Sequence, residues 1–581
     1  MAEKRNQNVR SVRILHSRTD DKSICIAIDE LAGGLRAILG GHVATVGDPE
    51  LDTRYIIVDF GDNTGNSAGE PVKLAGDAFE IARPSPISVA ISAGSGRGLI
   101  HGVCDLMEKL GATFAPGAPA QFPRIDEAAV SRIKPYRVEP AFSRRALASD
   151  LMTWNYTFPD RLDLHLKFDR EFIPWIGRRG VNAFEYIRHA HDTRLRIDEI
   201  VDESCAWGID DEYGGHVLQI LMPRTTFESN PEYFPANPDG KREPRGNLCV
   251  SNRDALKTVA DGAATWLRKY PENRLLHIWG ADVSGGAWCS CAQCSNLPPQ
   301  IQYMTVVNAV AASEEVKVSG IPVAYLAYHD TIDPAPGLKP LANVWFEWAP
   351  RERCYTHAIN DRACDTNRRY FESLERYIEI FQGRGHVFEY YADAILFGGI
   401  GFATPSVIAR DLLAYKKLAI NGISCLTFGA YSALSYPVNL EAFVRAARNP
   451  NFEPREATSC AAEGRHPETD AMAKAYRTIE KATAMILDYG EVMTPYKMPA
   501  RKAAAKKQEL GRALRQIESA VDIAQKVGAR DKLAGAEAEL WSFGLEIVRG
   551  IAEYLRAREE RGVVFFDMDG YDSEGYNKFI P

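Results

Sequence analysis

Several things are missing from this sequence, and each absence closes off a class of function. No window of about 18 uninterrupted apolar residues occurs in the 581, so no segment qualifies as a transmembrane helix. The amino terminus, MAEKRNQNVRSVRIL, has no apolar stretch of the signal-peptide kind, and the expectation is a cytoplasmic protein with no membrane partner. Neither charge dominates: 69 Lys and Arg stand against 77 Asp and Glu, a net charge of −8 with no long block of one sign, which argues against nucleic acid as a partner. Cysteine does not form a framework either. Eleven of them, an odd number in a long chain, suit a reducing compartment better than a set of disulfide staples.

What is present is an ordinary globular composition in a chain long enough for about three or four domains, or fewer if one is a barrel. Residues 1–133 alternate strand-like runs (Val12 to Leu15, Tyr55 to Phe60, Ile87 to Ser92) with helix-like ones, the clearest being Gly98 to Leu110. This reads as a small α/β domain. Its AGSGRGLIHG segment is close to a dinucleotide fingerprint, but Leu99 stands where that turn needs Gly or Ala.

Residues 134–458 carry a recurrent rhythm. Candidate strands are Phe142 to Ala148, Gly180 to Ile187, His216 to Met222, Leu275 to Ala281, Ile321 to Tyr328, Asn343 to Trp348, His386 to Tyr391 and Gly422 to Phe428. Short apolar runs separated by helix-length segments are what a (β/α)8 barrel of the TIM type requires. The interval from Tyr328 to Asn343 is too short for a regular helix. Residues 459–581 turn to Ala, Glu, Lys, Arg and Leu, with Leu510, Leu514, Ile517 and Val521, then Leu540, Gly544, Ile547, Ile551 and Leu555, at helical spacing. The expectation is a helical carboxy-terminal domain whose stripes are core or a homo-oligomer face. The aromatic, acidic last residues are too short to classify.

Polar residues gather at the carboxyl ends of the candidate strands, where a barrel places its chemistry. They are Asp150, Glu185 and His189, Asp282, the Tyr328-His329-Asp330 run, Glu347, then Glu389, Tyr390, Tyr391 and Asp393. A carboxylate within a buried run such as VWFEW or HVFEYY is costly unless paired or used. Glycoside hydrolysis uses two carboxyl groups held apart in pKa, and sugar faces stack on aromatics such as Trp279, Trp288, Trp345, Trp348, Tyr390 and Tyr391. Cys289, Cys291 and Cys294 lie within six residues. With a fourth ligand, Cys249 or a histidine, they would make a structural zinc site pinning the loop that bears Asp282; reduced loop thiols are the alternative.

Resemblances sharpen this picture. Ala93 to Pro116 resembles the turn, helix and Leu-Gly segment ending the amino-terminal domain of glycoside hydrolase families 20 and 67, which packs beside a catalytic barrel and does no chemistry. The CSCAQC run, YHD, APRERCYTHAIND (Ala349 to Asp361), FEYYADAILFGG (Phe388 to Gly399) and FGAYSALSYPVN (Phe428 to Asn439) together resemble the domain-of-unknown-function 4838 group, which includes the family 163 endo-β-N-acetylglucosaminidases. Similarity to family 20 implies an acid at the end of the fourth strand, here Asp282, and a sugar-orienting histidine, His216, although that family's adjacent Asp-Glu pair is absent. Similarity to family 67 implies an inverting arrangement, with Glu347 and Glu389 as base candidates. Arg351 and Arg353, beside Glu352, are placed to clamp a uronate carboxylate or to form surface ion pairs.

The reading is a glycosidase acting on an oligosaccharide or glycoside, a β-N-acetylglucosaminide or other β-glycoside first, with no cofactor required for catalysis. Glu389 and Asp282 lead as catalytic carboxylates, then Glu347 and Asp330. Tyr328, His329, His216, Tyr391, Trp279, Trp288, Trp348, Asp393 and Arg351 are the substrate-binding candidates. The rivals are a metal-assisted lyase or isomerase using His329, Asp330 and Glu389, and a sugar-binding barrel without turnover.

Overall fold

The protein is described from a computed structural model covering residues 12–16, 20–40, 43–46, 55–60, 74–85, 88–125, 128–150, 162–188, 198–282, 285, 287–397, 400–428, 430–486 and 500–560. The amino-terminal region builds a six-stranded sheet from β1 (Val12–Leu15), β2 (Val43–Val46), β3 (Tyr55–Phe60), β4 (Phe79–Ser85), β5 (Ser88–Ala93) and β6 (Tyr136–Val138), in the order β2-β1-β3-β5-β4-β6. The first four strands in that order are parallel, and β4 runs antiparallel to both neighbours. The helix Gly96–Lys109 follows β5. It is capped by the Ser95 side chain and buries Leu99, Ile100, Val103, Leu106 and Met107. Its acids face the next domain, where Asp105 and Glu108 pair with Arg448 and Arg179.

Eight parallel strands form the second sheet: β7 (Arg144–Asp150), β8 (Ala183–Arg188), β9 (Asp210–Gly215), β10 (Leu276–His277), β11 (Val323–Ala327), β12 (Val344–Trp348), β13 (Gly385–Glu389) and β14 (Gly422–Thr427). The order β10-β11-β12-β13-β14-β7-β8-β9 wraps them into an eight-stranded TIM-type barrel. The two ends meet where the Trp279 N–H donates to the Gly215 carbonyl at 2.7 Å. Helices covering the sheet include Leu162–Arg178, Arg253–Lys269, Pro299–Ala311, Asp365–Ile380, Pro405–Lys417 and Pro437–Arg448, so that the strands are buried on both faces. After β11 there is only the 3-10 turn His329–Thr331 and a loop, as the short interval predicts.

One strand differs from expectation. His216 to Met222 is not the third strand; its apolar residues form the short helix Leu218–Leu221, and the strand is the polar DDEYGG just before it. Burying that sequence is made affordable by specific partners: Ser204 donates to Asp211 at 2.7 Å, and Arg144 to Glu212 at 2.6 Å.

The carboxy-terminal region is helical: Pro454–Arg465, which runs across the boundary expected at 458/459, Thr469–Ile486, Ala500–Gly528 and Lys532–Glu560. Leu510, Ile517, Val521 and Leu555 are buried among these helices. The last helix docks on the segment after β13 through Trp541, whose indole N–H donates to Gly401 O at 3.1 Å. Among the described residues no helix is long and apolar enough to cross a membrane.

Candidate active site

Alternation along the strands decides which residues can reach a substrate. On β13, the His386 and Phe388 rings lie 6.2 Å from His277 and 5.6 Å from Trp279. Because β11 and β12 separate β13 from β10, these contacts cross the barrel interior. Glu389 is therefore on the outer face. It accepts from Tyr415 of the helix Pro405–Lys417 and pairs with Arg353 at 3.2 Å, and Arg353 in turn meets Asp411 at 2.5 Å. All of these groups are fully buried. Glu389, first choice from the sequence, is thus removed from the mouth, and Arg353 is held in the same cluster and cannot clamp a substrate. Tyr391, which donates to Asp411 at 3.0 Å, and Trp348, whose indole N–H donates to Ser373 at 3.3 Å, also face outward into packing.

Glu347 points inward but lies deep. It belongs to a chain of charges across the barrel floor: Arg144 holds Glu185 and Glu212, His277 donates Nε2–H to Glu212 and Nδ1–H to Glu347, each at 3.0 Å, and His386 donates to Glu347 at 3.1 Å. Burial works against the charged form of His277, but Glu347 and Glu212 outweigh it and raise its pKa to about 10. Burial pushes both carboxyls up; Arg144 and His277 pull Glu212 down to about 2, and the two histidines hold Glu347 well below the carboxylate range. Glu347 stays ionised and accepts the Trp279 indole N–H at 2.6 Å. Its role here is to fix that ring, not to exchange protons. Glu212 and His386 were not singled out from the sequence. A histidine heading each of the buried runs LHIWG and HVFEYY was the available signal.

Above Trp279 the strand ends open into a cleft of about 350 Å³, counted out to open solvent, lined by His216, Gly280, Ala281, Trp288, Tyr303, Leu326, Tyr328, His329, Asp330 and Thr331. Gly280 is needed here, since a Cβ would lie 2.8 Å from Asn247 Oδ1, which accepts the Ala281 N–H. The His216 ring meets Trp279 edge-on at 5.2 Å, donates Nδ1–H to Gly280 O at 2.5 Å and presents Nε2 to Asp282 at 3.9 Å. The Asp282 side chain is 44% exposed. Asp330 accepts the Gly285 N–H at 2.9 and 3.0 Å, which braces the loop carrying Asp282.

Tyr328 forms the centre of this mouth. Its ring packs 3.7 Å from His329 and stacks at 6.5 Å on Tyr390, over which Arg351 sits at 5.9 Å. Burial first, then the charges of Asp282, Asp393 and Glu352, push the Tyr328 phenol well up, with Arg351 opposing. His329 adopts φ 46°, a left-handed conformation that costs a histidine energy, and its Nδ1 meets Glu352 at 3.2 Å; the Glu352 side chain is 39% exposed. Arg351 is held by Asp393 at 3.1 Å, and Asp393, fully buried, also accepts the N–H groups of Ile395 and Leu396. Of the sequence candidates, Asp282, Asp330, Tyr328, His329, His216, Trp288 and Arg351 are brought together, with Trp279 beneath and Asp393 behind. His189 and the side chain of Asp150 lie outside the described residues.

Solved structures share this architecture, among them two enzymes. A family GH138 enzyme, described as targeting pectin rhamnogalacturonan II, aligns with a TM-score of 0.62 at 12% identity over 93% of this chain and 86% of its own. A family GH115 4-O-methyl-α-glucuronidase, described as having specificity for decorated arabinogalactans, aligns with a TM-score of 0.61 at 14% identity over 98% of this chain and 74% of its own. At these identities the likeness is one of fold. No curated protein matches the chain. Residues 119–428, more than half of the sequence, match the domain of unknown function DUF4838, and the chain belongs to that family.

Proposed function

We propose that this protein is a glycoside hydrolase whose working carboxylates are Asp282 and Glu352. The observation that carries the reading is that these two partly exposed carboxylates each stand against a histidine that lines the one cleft at the mouth of the barrel. Each is backed by a histidine, His216 behind Asp282 and His329 behind Glu352. Hydrolysis of a glycosidic bond asks for one carboxyl to protonate the leaving oxygen and one to act as base or nucleophile, and two partly exposed carboxylates beside one cleft supply that pair. Trp288 and Tyr328 line the cleft and supply apolar ring surface for a sugar face.

The relation to two structures described as carbohydrate-active supports the reaction class. Arg351 refines it. Asp393 engages only one side of the guanidinium, through Nε, and 17% of the side chain reaches the surface, which favours a sugar bearing a carboxylate. The neutral β-N-acetylglucosaminide expected first from the sequence remains the comparator.

The test is a panel of aryl glycosides: α- and β-glucuronide, β-N-acetylglucosaminide, β-glucoside and β-galactoside. Turnover of one member, reduced by about 10²-fold or more in both Asp282→Asn and Glu352→Gln, is the expected result. Hydrolysis that survives both substitutions would end the assignment.

A further inference from the structure

The CSCAQC motif acquires its fourth partner in three dimensions. The sulfurs of Cys249, Cys289, Cys291 and Cys294 all lie within 4.8 Å of one another, with Cys249 Sγ and Cys291 Sγ 3.8 Å apart. A tetrahedral ion with sulfur at about 2.3 Å has ligand–ligand edges of about 3.8 Å. We propose that these four thiols bind one zinc ion as a closed, structural tetrathiolate site.

Three further features fit thiolate ligands better than idle thiols. First, hydrogen-bonding groups sit at the sulfurs: the Ala236 N–H lies 3.4 Å from Cys289 Sγ, and the Ser251 hydroxyl oxygen lies 3.1 Å from Cys249 Sγ and 3.7 Å from Cys291 Sγ. Second, Arg242 pairs along the backbone with Ala236, whose N–H faces Cys289, and so brings positive charge to the edge of a site that four thiolates and one divalent ion would leave at a net charge of −2. Third, the buried Gln302 closes the motif into one shape, accepting the Cys289 N–H at 3.1 Å and donating to the carbonyls of Cys289 and Leu297.

The site lies where two excursions from the barrel must be joined. Cys249 belongs to the long connection after β9, and the other three to the loop after β10. Between them, Asn247 N–H donates to Ala287 O at 2.9 Å, Ser290 N–H to Ala236 O at 2.7 Å, and Asn247 Oδ1 accepts the Ala281 N–H at 2.8 Å. An ion at the four sulfurs would cross-link the two segments directly behind Trp288 and the strand end that presents Asp282. It supplies rigidity and, having no open position, no chemistry.

Metal analysis of the purified full-length chain, expressed with added zinc, tests this without reference to turnover. The expected content is about one zinc per chain, falling at least tenfold in Cys289→Ser/Cys294→Ser and unchanged in Cys425→Ser, a buried thiol elsewhere. Should the double variant not fold, cobalt(II) added to chelator-stripped wild-type protein serves instead, with the visible and charge-transfer bands of a tetrahedral tetrathiolate expected. Zinc-free wild-type protein whose stripped form gives no such bands would overturn the proposal, as would a mass showing these cysteines joined in disulfides. Both outcomes are independent of whether any glycoside is hydrolysed.

Discussion

Trp279 donates its indole N–H to Glu347 at 2.6 Å, so the buried ring that packs against His216 beneath the cleft is held by a fully buried carboxylate. The consequence is that Glu347 matters to the site through position and to the fold through charge. Glu347→Gln leaves the His277 cation with Glu212 alone in a buried layer. We expect it to cost about 3–5 kcal/mol of unfolding free energy, read from urea denaturation. A loss below about 1 kcal/mol would mean that the layer is not charged.

The same layer sets a pH dependence. The folded pKa of His277, about 10, lies above its ordinary 6.5, so its contribution is complete below pH 6.5 and is lost as pH rises toward 10. Glu212, lowered from 4.5 to about 2, contributes fully above pH 4.5 and loses its share as pH falls through 2. Stability should therefore plateau near pH 4.5–6.5 and decline on the alkaline side, and His277→Gln should flatten that alkaline arm. Urea midpoints measured from about pH 5 to about pH 10 for both proteins check this.

Glu389→Gln separates an outward structural carboxylate from a working one. The substitution weakens its bonds with Arg353 and Tyr415 and should lower stability by about 1–3 kcal/mol. The folded variant should keep kcat within the wild-type order of magnitude, in contrast to Asp282→Asn. Loss of kcat without loss of stability would restore Glu389 to the chemistry.

Arg351→Gln should raise KM for a uronide by about tenfold to a hundredfold, the worth of a charged hydrogen bond, and leave a neutral glycoside of the same leaving group nearly unaffected. Equal effects on both would remove the carboxylate contact.

Seven of the eight barrel strands were legible because their burial on both faces leaves apolar runs in the sequence. The eighth was not, since DDEYGG is polar and its cost is met by Ser204 of the preceding helix and by Arg144, 68 residues before Glu212, partners that the hydrophobic pattern does not reveal. The site was harder for a related reason. In HVFEYY the alternation says that Phe388 and Glu389 face opposite ways, but not which of them faces in. The loops pose no such choice: Asp282, Tyr328, His329 and Asp330 follow the ends of β10 and β11, a placement that comes from the order of strands and loops alone.

The seam between β9 and β10 has one further consequence. β10 is only two residues long, and Gly214 packs so closely that a Cβ there would lie 2.4 Å from that of His277. With so few ladder bonds, this joint is the natural first place for the wall to unzip, which would expose two unpaired strand borders to neighbouring chains. Hydrogen exchange should be faster in Tyr213–Gly215 and Leu276–Trp279 than in β12 to β14, so that resistance to self-association depends on how firmly the two loops flanking this joint are tied together.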